Sequence, residues 1–257
     1  MFLNPSVLGT FIKNLQVKEI RSQNMREMNG TNRTEIKSIL FDMDNTLFDF
    51  IKAKHAACEA IAGHLGLKDS RELFKYFLRG IYNFEAWENI RDYMKDRDVY
   101  SEDMYIDCCD LYERTKLETI YPYPNVEATL YQLKKWGFSL GVVTDAHIEN
   151  ARSRLMKTKL LDLFDVLITA DMTGTKKPSP EIFFYSLEKL QIDPHQALFI
   201  GDSLRRDIEP AQRIGMVTAH AAYGDRNIKE ERSCQADYCL NDISDVLKFI
   251  KVEPGLI

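Results

Sequence analysis

Ile36-Lys37-Ser38-Ile39-Leu40-Phe41-Asp42-Met43-Asp44-Asn45-Thr46-Leu47 decides the fold. A short apolar run leads into two aspartates one residue apart. The run is rich in Ile, Leu and Phe and too short for a free-standing helix, which predicts a buried parallel strand. In an open α/β sheet, ligands gather beyond the carboxyl ends of the strands. Asp42 and Asp44 fall at that end, with side chains on one side if the backbone stays extended. Neighbouring carboxylates repel unless something neutralises them, and Mg²⁺, which prefers oxygen ligands, does so. A strand ending in a solvated acidic loop fits the same residues. The sequence downstream separates the two readings.

Outward from this stretch the pattern changes period. From Leu47 to about residue 119 it is helical. Ala53, Ala56, Ala57, Ala60, Ile61 and Leu65 recur at helical spacing, with Gly66 as a stop. Ser70 opens a second helix that closes near Gly80, a third is expected over 84–95, and Ser101 caps a fourth. Tyr121-Pro122-Tyr123-Pro124 breaks the run. Strand and helix then alternate. Helices are expected over 126–136 (with Asn125 as N-cap), 150–159, 180–190, 205–214 and near 244–251. Strands are expected over 138–144, 166–170, 197–200, 217–221 and 238–240. That alternation predicts a parallel sheet with helices on both faces.

The chain has 257 residues, 45% hydrophobic and 28% charged, enough for a sizeable core. A net charge of −5 provides no global field to recruit nucleic acid. No apolar run approaches the roughly 20 residues that span a bilayer. Five cysteines, Cys58, Cys108, Cys109, Cys234 and Cys239, match no zinc spacing and predict reduced thiols in a cytoplasmic protein. Residues 1–34 read as an extension or linker, with a short docking helix around Phe11 and Leu15 and a polar linker over 21–33. They lack the basic start and small-residue cleavage site of a signal peptide. Met25 and Met28 are each read as alternative starts.

Three further strand ends carry chemistry-bearing residues. Val142-Val143-Thr144-Asp145 ends in a hydroxyl that can donate to a phosphoryl oxygen, although a strand-end Thr is also a common cap. In Lys177-Pro178-Ser179-Pro180, Ser179 and Pro180 suit a helix start, but the start does not require Lys177. An ammonium there would offset carboxylate repulsion. In Gly201-Asp202-Ser203-Leu204-Arg205-Arg206-Asp207, Asp202 sits at a strand end as Asp42 does. Asp207 lies in the next helix's first turn, where the dipole favours an acid in any case.

Together, in this order and each at a strand end, the four stretches resemble the motifs of the haloacid dehalogenase-like (HAD) hydrolase superfamily. The resemblance covers about residues 36–250 and is weakest over the helical insertion. It departs from the usual pattern at Asn45, where the family has Gly, and at Asp145, where Asn is commoner. Asn tolerates a left-handed backbone, so the first turn remains feasible.

The resemblance implies a Rossmann-like α/β core (residues 35–50 and 122–257) with an inserted helical cap of C1 type (51–121) that closes over the strand ends. It implies a Mg²⁺-dependent phosphatase that works through an aspartyl-phosphate. Asp42 is the nucleophile and Asp44 the general acid and base. Thr144, Asp145 and Lys177 hold the phosphate. The metal is held by Asp42, Asp202, the Asp44 carbonyl and, through water, Asp207. An acid two residues after the nucleophile suits phosphatases and phosphomutases rather than the dehalogenase or P-type ATPase branches. A phosphomutase is the enzymatic alternative, and a binding module that has lost turnover is the non-enzymatic one. The expected substrate is a small phosphorylated metabolite, such as the triose phosphate glyceraldehyde 3-phosphate, with nucleotide monophosphates as an alternative. The expected state is a monomer or homodimer, with no nucleic acid or membrane partner.

Other residues read as structural. His55, His64, His147, His195 and His220 read as surface or packing residues. Phe50, Phe84, Trp87 and Tyr93 read as the helical insertion's own core, and residues 229–232 as a solvated face.

Overall fold

The computed structural model describes residues 36–226 and 236–250. The expectations for residues 1–34, for 229–232, for Cys234 and for the end of the last helix lie outside the described residues. In chain order the elements are β1 (Ser38–Phe41), α1 (Phe50–His64), α2 (Ser70–Leu78), α3 (Glu88–Lys95), α4 (Glu102–Glu118), α5 (Val126–Lys135), β2 (Ser139–Thr144) and α6 (Ile148–Lys157). They continue as β3 (Val166–Thr169), α7 (Ala170–Thr173), α8 (Pro180–Leu190), β4 (Ala197–Gly201), a π-helical turn (Leu204–Ile208), α9 (Glu209–Arg213), β5 (Val217–Ala221), β6 (Tyr238–Leu240) and α10 (Val246–Phe249).

Among the described residues all six strands are parallel, in the order β3-β2-β1-β4-β5-β6. The order reverses direction at β1, so the crevice where such sheets bind ligands opens beside Asp42. Strand β1 is buried along its whole length and bonds to β2 on one edge and β4 on the other. Leu40, Val143, Ile168, Ile182, Phe183 and Phe199 pack together on one side of the sheet.

The chain divides into two compact units. One is the α/β unit, made of the described residues up to Thr46 with Pro124–Ile148 and Leu163 onward. The other is helical and takes in Leu47–Tyr123 and Glu149–Asp162. Inside the helical unit the two strands of chain that bound the insertion pair with each other, Phe48 against Pro122, and Tyr123 N–H donates to Leu47 O at 2.9 Å.

The helical unit has its own core, including Ala57, Cys58, Ile61, Phe77, Tyr93 and Tyr112. Helix α1 begins where the Asp49 carboxylate accepts from Lys52 N–H, and the chain leaves it at Gly66, whose φ of 69° suits glycine. Ser101 caps α4 by accepting from Met104 N–H, as its sequence position predicts. The third helix starts at Glu88 rather than 84. The residues before it form a turn held by Asn89, whose amide donates to the carbonyls of Asn83 and Ala86.

Other expectations are corrected. Asn125 has a left-handed φ of 64° and makes no capping bond, and its amide nitrogen donates to Asp242. The Ser179 hydroxyl donates to Glu181 and accepts no capping bond from the helix N–H groups. The helix expected over 205–214 is a π-turn followed by α9, which restarts around Pro210, a residue with no N–H to continue the ladder. Trp87 is 46% exposed, so it is not core, and its indole donates to Glu113. No helix among the described residues is long and apolar enough to cross a membrane.

Candidate active site

Asp42 leaves the end of β1 and is only 5% exposed. The chain then turns sharply, with Asn45 at φ 65°, the left-handed conformation its side chain tolerates. One residue further, the Thr46 hydroxyl donates back to Asp42 Oδ2 at 3.2 Å. Asp42 Oδ1 accepts from the Lys177 ammonium.

Asp202 leaves the end of β4, the strand beside β1, and is 2% exposed. Asp207 sits in the π-turn with no exposed surface. Its carboxylate accepts from Ser203 N–H at 3.0 Å and from Lys177 Nζ at 2.6 Å. Gly201 makes room for it, since a Cβ at Gly201 would lie 2.5 Å from the Asp207 Cβ. Oxygens of Asp42, Asp202 and Asp207 all lie within 4.8 Å of one another. Asp44 is half-buried and its carboxylate is not part of this cluster.

Three buried carboxylates this close disfavour one another's charge. Burial, then Asp42 and Asp207, raise Asp202 well above the usual carboxylate range. Burial likewise raises Asp42, against the pull of Lys177. Burial also works against the Lys177 ammonium, but Asp207 and Asp42 together hold it above lysine's ordinary value. Lys177 and the half-exposed Arg206, which lies 4.0 Å from Asp202, leave the cluster short of positive charge. Asp202 Oδ1 is buried and has no hydrogen-bond donor. An all-oxygen set with an unmet acceptor fits a small hard cation.

Thr144, the last residue of β2, is 1% exposed. Its hydroxyl accepts from Ala146 N–H at 3.2 Å, which leaves its own hydrogen to donate. Asp145 points elsewhere. Its carboxylate accepts from Lys177 N–H at 2.8 Å and lies 3.6 Å from Arg206. Both of these partners are donors, so the Asp145 side chain is engaged as an acceptor and holds the Lys177 segment in place.

The structure therefore gathers Asp42, Lys177, Asp202 and Asp207 directly and ties Asp145 to them through Lys177. A family model for haloacid dehalogenase-like hydrolases matches residues 39–221.

The chain belongs to that family. The match runs from within β1 to the end of β5 and so takes in every strand end that bears a site residue. Among curated HAD relatives, the glyceraldehyde 3-phosphate phosphatase of Pyrococcus furiosus is 29% identical over 228 residues, covering 86% of this chain and 95% of its own. The phosphoglycolate phosphatase of Aquifex aeolicus is 32% identical over 223 residues, covering 84% and 97%. Among solved structures, an HAD phosphatase from Thermococcus onnurineus is 27% identical with a TM-score of 0.61, covering 85% and 99%.

Sequence reasoning missed two contributors to this HAD site. Thr46 was readable only as part of the turn, and Arg206 only as one of two adjacent arginines. Thr46 meets Asp42 and Arg206 meets Asp202 four residues away, through the turn geometry, and only the approach of Arg206 to Asp145 needs distant segments to meet.

Proposed function

We propose that the protein is a Mg²⁺-dependent phosphatase that hydrolyses a small phosphorylated metabolite through an aspartyl-phosphate on Asp42. The observation that carries this reading is the Asp42 carboxylate, buried at a strand end and oriented by both Lys177 and Thr46, with an acid two residues on.

In the first step an Asp42 oxygen forms a bond to phosphorus while the ester oxygen leaves. Asp44 gives that oxygen its proton. In the second step water attacks the phosphorus, Asp44 takes the water's proton, and the carboxylate of Asp42 is regenerated with release of inorganic phosphate. Lys177 and the Thr144 hydroxyl donate to the phosphoryl oxygens, where negative charge spreads in the transition state. Asp42, Asp202 and the Asp44 carbonyl would hold Mg²⁺, with Asp207 acting through water, and the ion would neutralise these carboxylates against the incoming phosphate.

For the substrate, the reading is a two- or three-carbon phosphate. Its support is the family and the names of the relatives above, a glyceraldehyde 3-phosphate phosphatase and a phosphoglycolate phosphatase. Substrate choice is assigned to the inserted helices of residues 51–121, where the resemblance to the family is weakest.

The test is phosphate release from a panel containing glyceraldehyde 3-phosphate, phosphoglycolate, hexose phosphates and nucleoside monophosphates, run with Mg²⁺ and with excess chelator. The expected result is release from the smallest substrates, abolished by chelator and restored by Mg²⁺. No release from any ester, or an undiminished rate in chelator, overturns the proposal. Isomerised phosphate ester without free phosphate would identify a mutase.

A further inference from the structure

We propose that the segment from His220 to Asp225, at the end of β5 and in the loop after it, is a positioning clamp that fixes the turn carrying Asp44 against the strand end carrying Asp202. This rests on the reading of Asp42 as nucleophile, and none of the clamp's side chains is assigned a direct role on substrate.

The clamp has two grips. The first is on the turn after Asp42. The Tyr223 hydroxyl donates to the Thr46 carbonyl at 2.8 Å. Gly224 lies flat against the next peptide back, where a Cβ would overlap the Asn45 carbonyl oxygen, fall 2.8 Å from the Asn45 carbonyl carbon and lie 3.5 Å from Asp202 Cβ. Gly224 has no left-handed φ, so space is its reason for being glycine, and both obstructing atoms at Asn45 are backbone.

The second grip is on Asp202. His220 pairs in register with Gly201, is 6% exposed, and brings Nε2 to 3.0 Å from the Asp202 carbonyl. The same nitrogen lies 3.2 Å from Asp225 Oδ2. Both neighbours are acceptors, so Nε2 carries the hydrogen. The loop itself is anchored, because Ala222 N–H donates to Leu240 O of β6 at 3.0 Å and Gly224 N–H donates to Ala221 O at 3.0 Å.

The consequence is geometric. Strands β1, β4 and β5 are consecutive in the sheet, and the clamp ties all three at their carboxyl ends. Within the turn that carries Asp44, Thr46 N–H donates to Met43 O at 3.3 Å, and Tyr223 and Gly224 meet the next two peptide carbonyls of that turn from outside. In-line attack tolerates little error, and a shift of about 1 Å can cost ~10²-fold in rate.

Tyr223→Phe removes one hydroxyl and tests the first grip. Its kcat should fall about tenfold with KM unchanged, the scale of one lost positioning hydrogen bond. Binding of beryllofluoride, a mimic of the phosphorylated carboxylate, read by fluorine NMR at Asp42, should weaken by a similar factor. The melting temperature should move by no more than about 4 °C. Gly224→Ala should lower kcat at least ~10²-fold. For the second grip, His220→Gln keeps a donor and should retain most of the activity that His220→Leu loses. An unchanged kcat and beryllofluoride affinity in Tyr223→Phe, with only a lower melting temperature, overturns the clamp and leaves a structural contact. Equal loss in both His220 variants overturns the second grip. An inactive wild type instead overturns the phosphatase reading, and beryllofluoride binding still tests the clamp.

Discussion

Lys177 Nζ donates to Asp207 Oδ1 across 2.6 Å, and neither side chain is more than 1% exposed. The same ammonium donates to Asp42, so one cation, delivered from the loop before α8, joins the ends of β1 and β4. Three buried acids share one fully buried base, so Lys177 carries much of the compensation for their charge.

Lys177→Met should therefore destabilise the metal-free protein strongly. Removing one partner of a buried ion pair typically costs about 3–5 kcal/mol, because the remaining charges are left uncompensated. A melting curve in chelator should show the loss, and Mg²⁺ should recover part of it. An unchanged curve in chelator would show that Lys177 does not neutralise the cluster.

Asp42→Asn and Asp44→Asn should part company. The first removes the nucleophile while nearly preserving its shape, so both turnover and covalent phosphoenzyme should vanish. The second keeps the nucleophile but loses general acid and base help, each worth about 10²–10⁴-fold. With an ester whose leaving group needs no proton, phosphoenzyme should accumulate on Asp44→Asn. Rapid-quench mass spectrometry reads the label directly. Label on another residue, or equal label in both variants, would reverse the assigned roles.

Gly201→Ala and Gly63→Ala should have opposite signs. A Cβ on Gly201 meets the Asp207 side chain at 2.5–2.7 Å, while one on Gly63, in helix α1, meets nothing within 4 Å. Overpacking at the first site should cost roughly 1–3 kcal/mol. The second site should gain about 0.4–1 kcal/mol, as glycine loses more freedom on folding. Denaturant melts of the two variants settle the point, and a neutral Gly201→Ala would show that Asp207 can retreat.

Lys54 sets a pH dependence in the helical unit. It has no exposed surface, its ammonium lies 4.0 Å and 3.4 Å from the ring centres of Phe77 and Phe84, and it donates to the Phe84 carbonyl. Burial lowers it to about 7, against the pull of Glu85. Between pH ~7 and ~10 the unfolded chain holds the proton that the folded chain has lost, so stability should rise with pH across that window. Below it the penalty is constant. Lys54→Met should flatten the slope and stabilise the protein at pH 7 by roughly 1–4 kcal/mol, as apolar replacement of buried charge often does. Melts of both proteins from pH 6 to 10 test this, and a slope that survives in Lys54→Met assigns the titration elsewhere.

Within the helical unit Lys116 and Arg154 also turn inward, both onto Glu85. Burial works against the Glu85 charge, yet Arg154 and Lys116 hold its carboxyl down at about 2. None of this was legible from patterning, since lysine and arginine at core spacing read as surface positions. Their burial depends on an acid and aromatic rings that arrive from other segments.

The sequence by itself determined what is local. The apolar run before Asp42 makes β1, the left-handed turn at Asn45 follows from a residue that tolerates it, and Ser101 and Pro180 start α4 and α8. Strand ends could be read because strands are short, apolar and punctuated, and Asp42 and Asp202 stand directly after β1 and β4. Only the tertiary structure decided what those residues do to one another. It turned the Asp145 carboxylate onto Lys177 N–H, brought the Lys177 ammonium to Asp42 and Asp207, and set Tyr223, Gly224 and His220 against residues more than a dozen positions away. Propensity and period act over a few neighbouring residues, whereas a hydrogen bond or a steric limit between β5 and β1 exists only once the sheet has formed.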